Sequence, residues 1–181
     1  VARYDPQKDH LNLLNALSLI REKNINFFCV FVGSNVNQNN IDLISVIKRL
    51  KLSNHVKLLG QNNNISKVMN GLDIHVLSSS YGEGFPNVVA ESMACGTPCI
   101  VTDVGDSALI VGKTGWVVPP RNSIRLAKAI EKALYEKNTN KWNKRCNNAR
   151  LRIKNNYNIS KMVRLYNKVW SKVYKKNDKN I

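Results

Sequence analysis

The chain alternates short apolar runs with amphipathic helical patterns, and this alternation restricts its possible folds more than any other feature of the sequence. Apolar runs of strand length cover residues 26–33, 56–60, 74–77 and 98–102, and helical spacing of apolar residues covers residues 10–20, 41–50, 65–69 and 87–95. The joins are short, and strands connected through helices run parallel. The pattern therefore predicts an α/β fold on a doubly wound parallel sheet, with residues 1–3 as the end of a first strand that is cut at Val1.

The composition is typical of a globular domain that needs neither a disulfide nor a metal to fold. The longest apolar run, residues 27–32, is far shorter than the roughly 20 residues of a membrane span. No basic and apolar leader opens the chain, so nothing predicts secretion. The four cysteines have no C-x-x-C spacing, and no His, Asp and Glu spacing indicates a metal site. We expect a reduced, cytoplasmic protein without a bound metal.

Helical patterning continues after Pro120, over residues 123–134, 142–153 and 159–174. In the last of these helices, for which Ser160 is the expected N-cap, one face is apolar at helical spacing. We call this face the apolar stripe; its members are Met162, Leu165, Tyr166, Val169, Trp170 and Val173. We divide the chain into a sheet domain, residues 1–156, and a basic helix with its tail, residues 157–181. The stripe is expected to pack on the sheet domain or on a domain outside this chain.

The net charge of +16 is concentrated at one end of the chain. Residues 1–120 carry ten Lys and Arg against nine Asp and Glu, whereas residues 121–181 carry eighteen against three. Such asymmetry indicates an anionic partner for the basic end, either nucleic acid or an anionic membrane surface. The alternative is a solvated face in a chain of biased composition.

The segment with the clearest chemical signature is the loop of residues 78–87, which follows the apolar run ending at Leu77. Doubly wound sheets bind ligands beyond the carboxyl ends of their strands. Gly82 and Gly84 allow sharp backbone turns, and Pro86 suits the first turn of a helix. The free amides that begin at Asn87 would then offer a site for an anion such as a phosphate.

Two carboxylates lie in this loop and in the helix that follows it. Glu83 and Glu91 are the only glutamates between Lys23 and Arg121. Carboxylates accept hydrogen bonds from vicinal hydroxyls, so two of them suit a ligand with two polyol rings, such as a nucleotide-sugar. The alternative is that Glu83 caps the helix and Glu91 is a solvated helical residue.

Three segments together resemble the family-4 retaining glycosyltransferases, which have the GT-B fold. Residues 83–98, EGFPNVVAESMACGTP, are similar to the family's Glu-x7-Glu signature. Residues 103–106 resemble its Asp-x-Gly-Gly loop, with Asp106 in place of the second glycine, and residues 2–8 resemble its Gly-Arg-x4-Lys entry, with Ala2 in place of glycine. The resemblance covers about residues 1–136 and the last helix. It implies that residues 1–156 are the Rossmann-like, C-terminal, donor-binding domain of a GT-B enzyme.

The resemblance also implies a role for individual residues of this chain. Glu83 would be the catalytic residue and would hydrogen-bond the hydroxyls of the donor sugar, and Glu91 would bind the ribose. The loop at Gln61 would lie near the nucleobase. The remaining donor contacts, with the sugar and the diphosphate, would come from the side chains of Arg3 and Lys8 and the backbone amides of Gly84, Phe85, Asn87 and Val88.

The function implied is transfer of a hexosyl group from a nucleotide-sugar to an acceptor in cell-surface polysaccharide or glycolipid synthesis. The nucleotide-sugar is then a substrate, and no cofactor is expected. The acceptor and a further catalytic group would come from an N-terminal domain absent from this chain, which is expected to be inactive alone. Many acceptors of such enzymes are membrane-bound, so we expect a cytoplasmic protein peripheral to the inner face of the membrane.

Two alternatives remain open at the level of the sequence. One is a nucleotide-sugar epimerase of the GT-B fold, although the Glu-x7-Glu arrangement argues against it. The other is a basic nucleic-acid-binding module. Bases stack on exposed aromatic rings, whereas three of the aromatic residues in the last third, Tyr166, Trp170 and Tyr174, fall on or beside the apolar stripe. Nucleic acid is therefore not the favoured partner.

Overall fold

The computed structural model describes residues 1–177 and confirms an α/β fold with parallel strands. Its strands are β1 Cys29–Phe31, β2 Val56–Leu58, β3 His75–Leu77, β4 Cys99–Thr102 and β5 Trp116–Val118. Its α-helices are α1 His10–Glu22, α2 Ile41–Arg49, α3 Ile65–Asn70, α4 Asn87–Ala94, α5 Ser107–Val111, α6 Ser123–Lys137, α7 Lys141–Asn156 and α8 Ile159–Asn177.

The sheet consists of two parts that face each other across a gap. β1 pairs with β2, and β4 pairs with both β3 and β5, all in parallel. The first residues of the chain run beside β1 at this gap: the Ala2 N–H donates to the Val32 carbonyl at 2.8 Å, and the Tyr4 N–H donates to the Ser34 carbonyl at 2.8 Å. The expected first strand is thus an extended segment bonded to the backbone that follows β1, rather than a regular strand.

Helices cover both faces of the sheet, as a doubly wound fold requires. The side chain of Ile100 on β4 belongs to the core that is shared with α1 and α6. Its neighbours Cys99 and Val101 face the opposite core, shared with α4, α5 and α7. This alternation follows from the two-residue period of a strand, and it explains why β4 is buried at every position.

Two elements were not expected from the sequence, namely α5 and β5. Each is only three to five residues long. Their apolar stretches lie among glycines and prolines, which indicate a loop equally well; these are Gly105, Gly112, Gly115, Pro119 and Pro120.

The apolar stripe of α8 is uncovered in the part of the chain that the structure describes. Its five described side chains, from Met162 to Trp170, are between 47% and 63% exposed. The helix is capped by Asn158, whose side-chain oxygen accepts from the Lys161 N–H at 2.8 Å, and not by Ser160 as expected. The stripe therefore does not pack on the sheet domain. The side chain of Val173 lies outside the described part.

Among residues 1–177, no helix combines the length and the apolar character needed to cross a membrane. All four cysteines, Cys29, Cys95, Cys99 and Cys146, are free thiols.

Two buried histidines lie close to the gap between β1 and β3. The ring of His10 packs between those of Tyr4 and Phe31, with centroids 5.4 and 5.6 Å away. Burial, with a smaller effect of the Val1 amino group, lowers the pKa of His10 from 6.5 to about 4. The same two causes lower the pKa of His75 well below 6.5. Both rings are therefore neutral in the folded chain near neutral pH.

The stability of the fold should fall in mild acid. Unfolding frees both imidazoles to bind protons below pH 6.5, whereas the folded chain resists protonation, so the free energy of unfolding decreases from pH 6.5 down to the folded pKa values. For His10 alone the loss between about pH 7 and about pH 5 is on the order of 2 kcal/mol. In urea denaturation at both pH values, the variant His10→Phe should lose less stability than the original chain. An equal loss in both chains would contradict this account.

Candidate functional site

The loops that follow β1 to β4 meet at the carboxyl edge of the two sheet parts. The loops after β1 and β2 are joined by hydrogen bonds from the Gly33 N–H to the Gly60 carbonyl, 2.9 Å, and from the Gly60 N–H to the Val36 carbonyl, 2.8 Å. The loops after β3 and β4 are joined by the Asp106 N–H and the Gly84 carbonyl, 3.0 Å apart. The order of strands reverses at the gap, and such a switch point is where doubly wound sheets bind ligands.

A short segment at the start of the chain crosses this switch point and ends in Lys8. Residues Pro6–Lys8 form a single 3₁₀ turn, which the side chain of Asp5 caps by accepting from the Gln7 N–H. The turn is tied to the loop after β3, because the Ser80 N–H donates to the Gln7 carbonyl and the Ser78 hydroxyl donates to the Lys8 carbonyl, both at 2.8 Å. Lys8 is thereby held beside a loop about 75 residues further along the chain.

The centre of the site is an ion pair between Lys8 and Glu83. Lys8 Nζ lies 2.5 Å from Glu83 Oε1, and the Ser79 hydroxyl donates to the same oxygen at 2.5 Å. The two charged side chains are only 14% and 7% exposed. A carboxylate this buried requires a counter-charge and hydrogen bonds, and it receives both on one oxygen. Glu83 is thus fixed in orientation by its neighbours and does not cap α4.

Glycine is required where the loop after β4 meets Glu83. Gly105 has a φ of +55°, and a Cβ at this position would lie 2.0 Å from the Glu83 carbonyl oxygen. The next residue, Asp106, contributes its backbone N–H to the Gly84 carbonyl. Asp106, at the position where the motif that residues 103–106 resemble has its second glycine, therefore makes a backbone contact between the two loops.

Arg3 lies on the same segment as Lys8, but it contacts other side chains. Its guanidinium pairs with Asp5 at 3.1 Å and donates to Gln7 at 3.3 Å, and its side chain is 57% exposed. Hydrogen bonds, first from the Gln7 backbone and then from Arg3, hold the pKa of Asp5 below its ordinary value. The structure does not bring Arg3 to the Glu83 carboxylate.

The first turn of α4 presents unpaired backbone donors. Pro86 precedes the helix and gives no side-chain cap, although the Val89 N–H bonds back to its carbonyl at 3.0 Å. The N–H groups of Asn87 and Val88 have no acceptor among residues 1–177. Beside them, Phe85 is 42% exposed and packs its ring on Tyr157, with centroids 5.5 Å apart. This helix end can bind an anion.

The side chains of Glu91 and Gln61 are both exposed. They belong to elements that follow the carboxyl ends of β3 and β2, respectively. Glu91 lies one turn beyond Asn87 and therefore on the same face of α4, and it makes no ion pair within the described residues. Gln61 follows Gly60 in the loop after β2. The structure thus clusters Lys8 with Glu83 and leaves Glu91 and Gln61 without contacts to that pair.

Ser79 is the residue of the site that the sequence did not reveal. The run of serines from 78 to 80 follows β3 directly, but hydroxyl side chains are common in loops of every kind. Only the folded chain shows that Ser79 is fully buried against the Glu83 carboxylate. No group of three or more His, Cys, Asp and Glu in the described part could hold a metal ion.

Comparison with known proteins identifies a family. A family model described as Glycosyl transferases group 1 matches residues 1–152. The UDP-Gal:alpha-D-GlcNAc-diphosphoundecaprenol alpha-1,3-galactosyltransferase of Escherichia coli is 29% identical over 167 residues, which cover 90% of this chain and 42% of that enzyme.

Solved structures show the same fold. A glycosyltransferase from Rickettsia africae ESF-5 superposes with a TM-score of 0.86 and 26% identity, covering 96% of this chain and 46% of that one. Anabaena Alr3699/HepE in complex with UDP superposes with a TM-score of 0.82 and 25% identity, covering 94% and 47%. The chain therefore spans less than half the length of these relatives.

The packing of the loop after β4 on the loop after β3 predicts that alanine at two glycines changes the stability of the fold by different amounts. Gly105→Ala should lower the free energy of unfolding by at least about 1–2 kcal/mol, because its φ is left-handed and the new Cβ would meet the Glu83 backbone. The matched variant Gly84→Ala has no atom within 4 Å of the new Cβ and should change stability by less than about 0.5 kcal/mol. Urea denaturation of both variants tests this; equal effects would show that the loops are not packed as described.

Proposed function

The chain belongs to the group 1 glycosyl transferases, and from this membership we propose that it is the donor-binding half of a retaining, family-4 hexosyltransferase. The observation that carries the proposal is the buried Lys8–Glu83 pair at the switch point of the sheet, beside the unpaired amides of α4. It combines a fixed carboxylate for sugar hydroxyls with a cation and N–H groups for a diphosphate. The substrate is a nucleotide-sugar, and no further cofactor is needed, since the donor carries its own leaving group.

In this proposal the diphosphate binds at the start of α4. The N–H groups of Asn87 and Val88 point to it, and those of Gly84 and Phe85 complete the contact with phosphate and sugar. Lys8, which pairs with Glu83 three residues before Pro86, stabilises the negative charge that grows on the departing nucleoside diphosphate. Arg3 can join it, because its ion pair with Asp5 is exposed and screened by solvent and is therefore readily exchanged for a phosphate.

Glu83 orients the donor sugar. Its Oε1 is occupied by Lys8 and Ser79, so Oε2 is the oxygen offered to sugar hydroxyls. Because two neighbours already hold the carboxylate, little side-chain entropy is lost when the sugar binds. Glu91, exposed on the ligand-facing side of α4, accepts from the ribose hydroxyls, and the loop at Gln61 lies against the base.

The relatives support a donor of the uridine type and a membrane-bound acceptor. The Anabaena relative binds UDP, and the Escherichia coli relative acts on a diphosphoundecaprenol-linked sugar. We propose a role in cell-surface polysaccharide or glycolipid synthesis at the cytoplasmic face of the membrane. Since the chain spans under half of each relative, the acceptor site and a further catalytic group would belong to an N-terminal domain, and this chain alone would bind donor without turnover.

The two glutamates should affect binding differently. By calorimetry, Glu91→Gln should weaken both UDP and UDP-glucose by about 10- to 150-fold, since a charged hydrogen bond to the ribose is worth about 1.5–3 kcal/mol. Glu83→Gln should weaken UDP-glucose by a similar factor and leave UDP nearly unchanged, because UDP lacks the sugar.

Glu22→Gln, a change of an exposed carboxylate on α1, serves as the control and should alter neither affinity. Thermal unfolding of each variant checks that the fold is kept. Equal effects of the Glu83 and Glu91 changes on UDP would refute the division of roles, and failure of every nucleotide to bind the original chain would refute the donor site itself.

The basic end should bind anionic membranes. Among the described residues, two of its charges are neutralised by ion pairs, Arg145–Glu136 and Lys137–Asp73, but most remain exposed on α6, α7 and α8. At about 1 kcal/mol for each basic residue near the surface, a few contacts suffice for reversible binding. We expect cosedimentation with anionic vesicles that is lost at high salt, because screening acts over about 10 Å at 0.1 M. Equal sedimentation with neutral vesicles, or none with anionic vesicles at low salt, would contradict this expectation.

A further inference from the structure

Tyr157, in the turn between α7 and α8, packs on the loop after β3. Its ring contacts that of Phe85, with centroids 5.5 Å apart and ring planes tilted by 54°. Aromatic pairs prefer offset or tilted geometries of this kind, and such pairs stabilise beyond the apolar area that they bury. Tyr157 is half-buried against the core shared with α4, α5 and α7. The two residues are far apart in the chain, so the contact is purely tertiary.

Phe85 has few other contacts that fix its position. Neither its N–H nor its carbonyl oxygen has a backbone hydrogen-bond partner within residues 1–177. Its neighbours make the backbone bonds of the loop: the Gly84 carbonyl accepts from the Asp106 N–H, and the Pro86 carbonyl accepts from the Val89 N–H, both at 3.0 Å. The space beside Gly84 is open, since a Cβ there would meet no atom within 4 Å. The Phe85 ring therefore anchors this stretch of the loop.

Tyr157 is itself fixed at both ends. Its hydroxyl donates to the Leu109 carbonyl in α5 at 3.0 Å, and its backbone N–H donates to the Ile153 carbonyl in the last turn of α7 at 2.9 Å. Arg152 donates to the same Leu109 carbonyl at 2.7 Å, so α5 and α7 are held together beside the ring. Since α5 directly follows the loop after β4, the ring has a fixed position relative to both loops of the site.

We propose that Tyr157 is a positioning residue of the donor site, an inference that rests on the proposed function. Its ring holds Phe85, and Phe85 in turn keeps its own N–H and that of Asn87 directed at the sugar and phosphate groups of the donor. Tyr157 acts through Phe85 and does not itself contact the donor. A loop that is held before the donor arrives loses less conformational freedom on binding, so the donor binds more tightly. The ring carries this effect, and the hydroxyl holds the ring.

Calorimetry with UDP and UDP-glucose tests the role of the ring. Tyr157→Leu should weaken both by about 3- to 10-fold, because the released loop must then be ordered when the phosphates bind. Tyr157→Phe keeps the ring and should stay within about 2-fold of the original chain. Tyr135→Leu, at an exposed tyrosine on α6, is the matched control and should change neither affinity. A loss in Tyr157→Phe as large as that in Tyr157→Leu would contradict the role of the ring.

A double variant separates positioning through Phe85 from a general structural role. Phe85→Leu should weaken UDP as much as Tyr157→Leu does, and the two changes together should weaken it no further, because they remove the same contact. Additive losses, or an unchanged affinity in Tyr157→Leu, would overturn the proposal. If Tyr157→Leu does not fold, Phe85→Leu removes the contact at a side chain that is 42% exposed, and an unchanged affinity for UDP in that variant overturns the proposal equally.

Amide exchange in the free chain provides a readout that needs no nucleotide. The Asp106 N–H bonds to the Gly84 carbonyl, next to Phe85, so Tyr157→Leu should speed its exchange by about 5-fold or more. An increase no greater than that at Val101, in the buried centre of β4, would indicate a general loss of stability and would overturn the proposal. If the original chain binds neither nucleotide, the proposed donor site fails, whereas exchange at Asp106 still decides whether Tyr157 holds the loop.

Discussion

The buried ion pair between Lys8 and Glu83 is the interaction on which the site depends. It joins the first turn of the chain to the loop after β3 across the break in the sheet, with Ser79 bonded to the same carboxylate oxygen. Removing either charge would leave the other in a poorly solvated position, which costs more than the pair contributes net. The same burial that demands the pair also fixes the carboxylate in place, and this fixed carboxylate is the group that the proposed donor site offers to the sugar.

Around this pair the loops are held together mainly through their backbones. The Ser80 and Asp106 N–H groups bond to carbonyls of neighbouring loops, and Gly105 allows the close approach to Glu83. A backbone hydrogen bond does not depend on the side chain of the residue that gives the N–H. Aspartate at position 106 is therefore compatible with the contact between the two loops. At Gly105 a Cβ would collide, so glycine is required there, whereas a Cβ at Gly84 would meet no atom within 4 Å.

Within residues 1–177, three parts of the molecule are left without a partner. The apolar stripe of α8 is exposed, the basic faces of α6 to α8 carry most of the net charge, and the edges of β1 and β3 are unpaired. Each has the chemistry of a surface that is covered in a larger assembly: apolar area for packing, positive charge for an anionic surface, and backbone donors and acceptors for a strand. A chain that matches under half of each relative is expected to show such surfaces.

The sequence by itself determined the fold class and the loop that carries the site. Strand and helix periods are local properties, so β1 to β4 and the longer helices could be predicted. The resemblance to a glycosyltransferase family came from three segments together, residues 2–8, 83–98 and 103–106. Only the tertiary structure decided that Lys8 and not Arg3 meets Glu83, and that the apolar stripe is left uncovered within residues 1–177. It also decided that Ser79 joins the pair. These contacts depend on which surfaces remain free after packing, and residues far apart in the chain carry no local signal of which of them will meet.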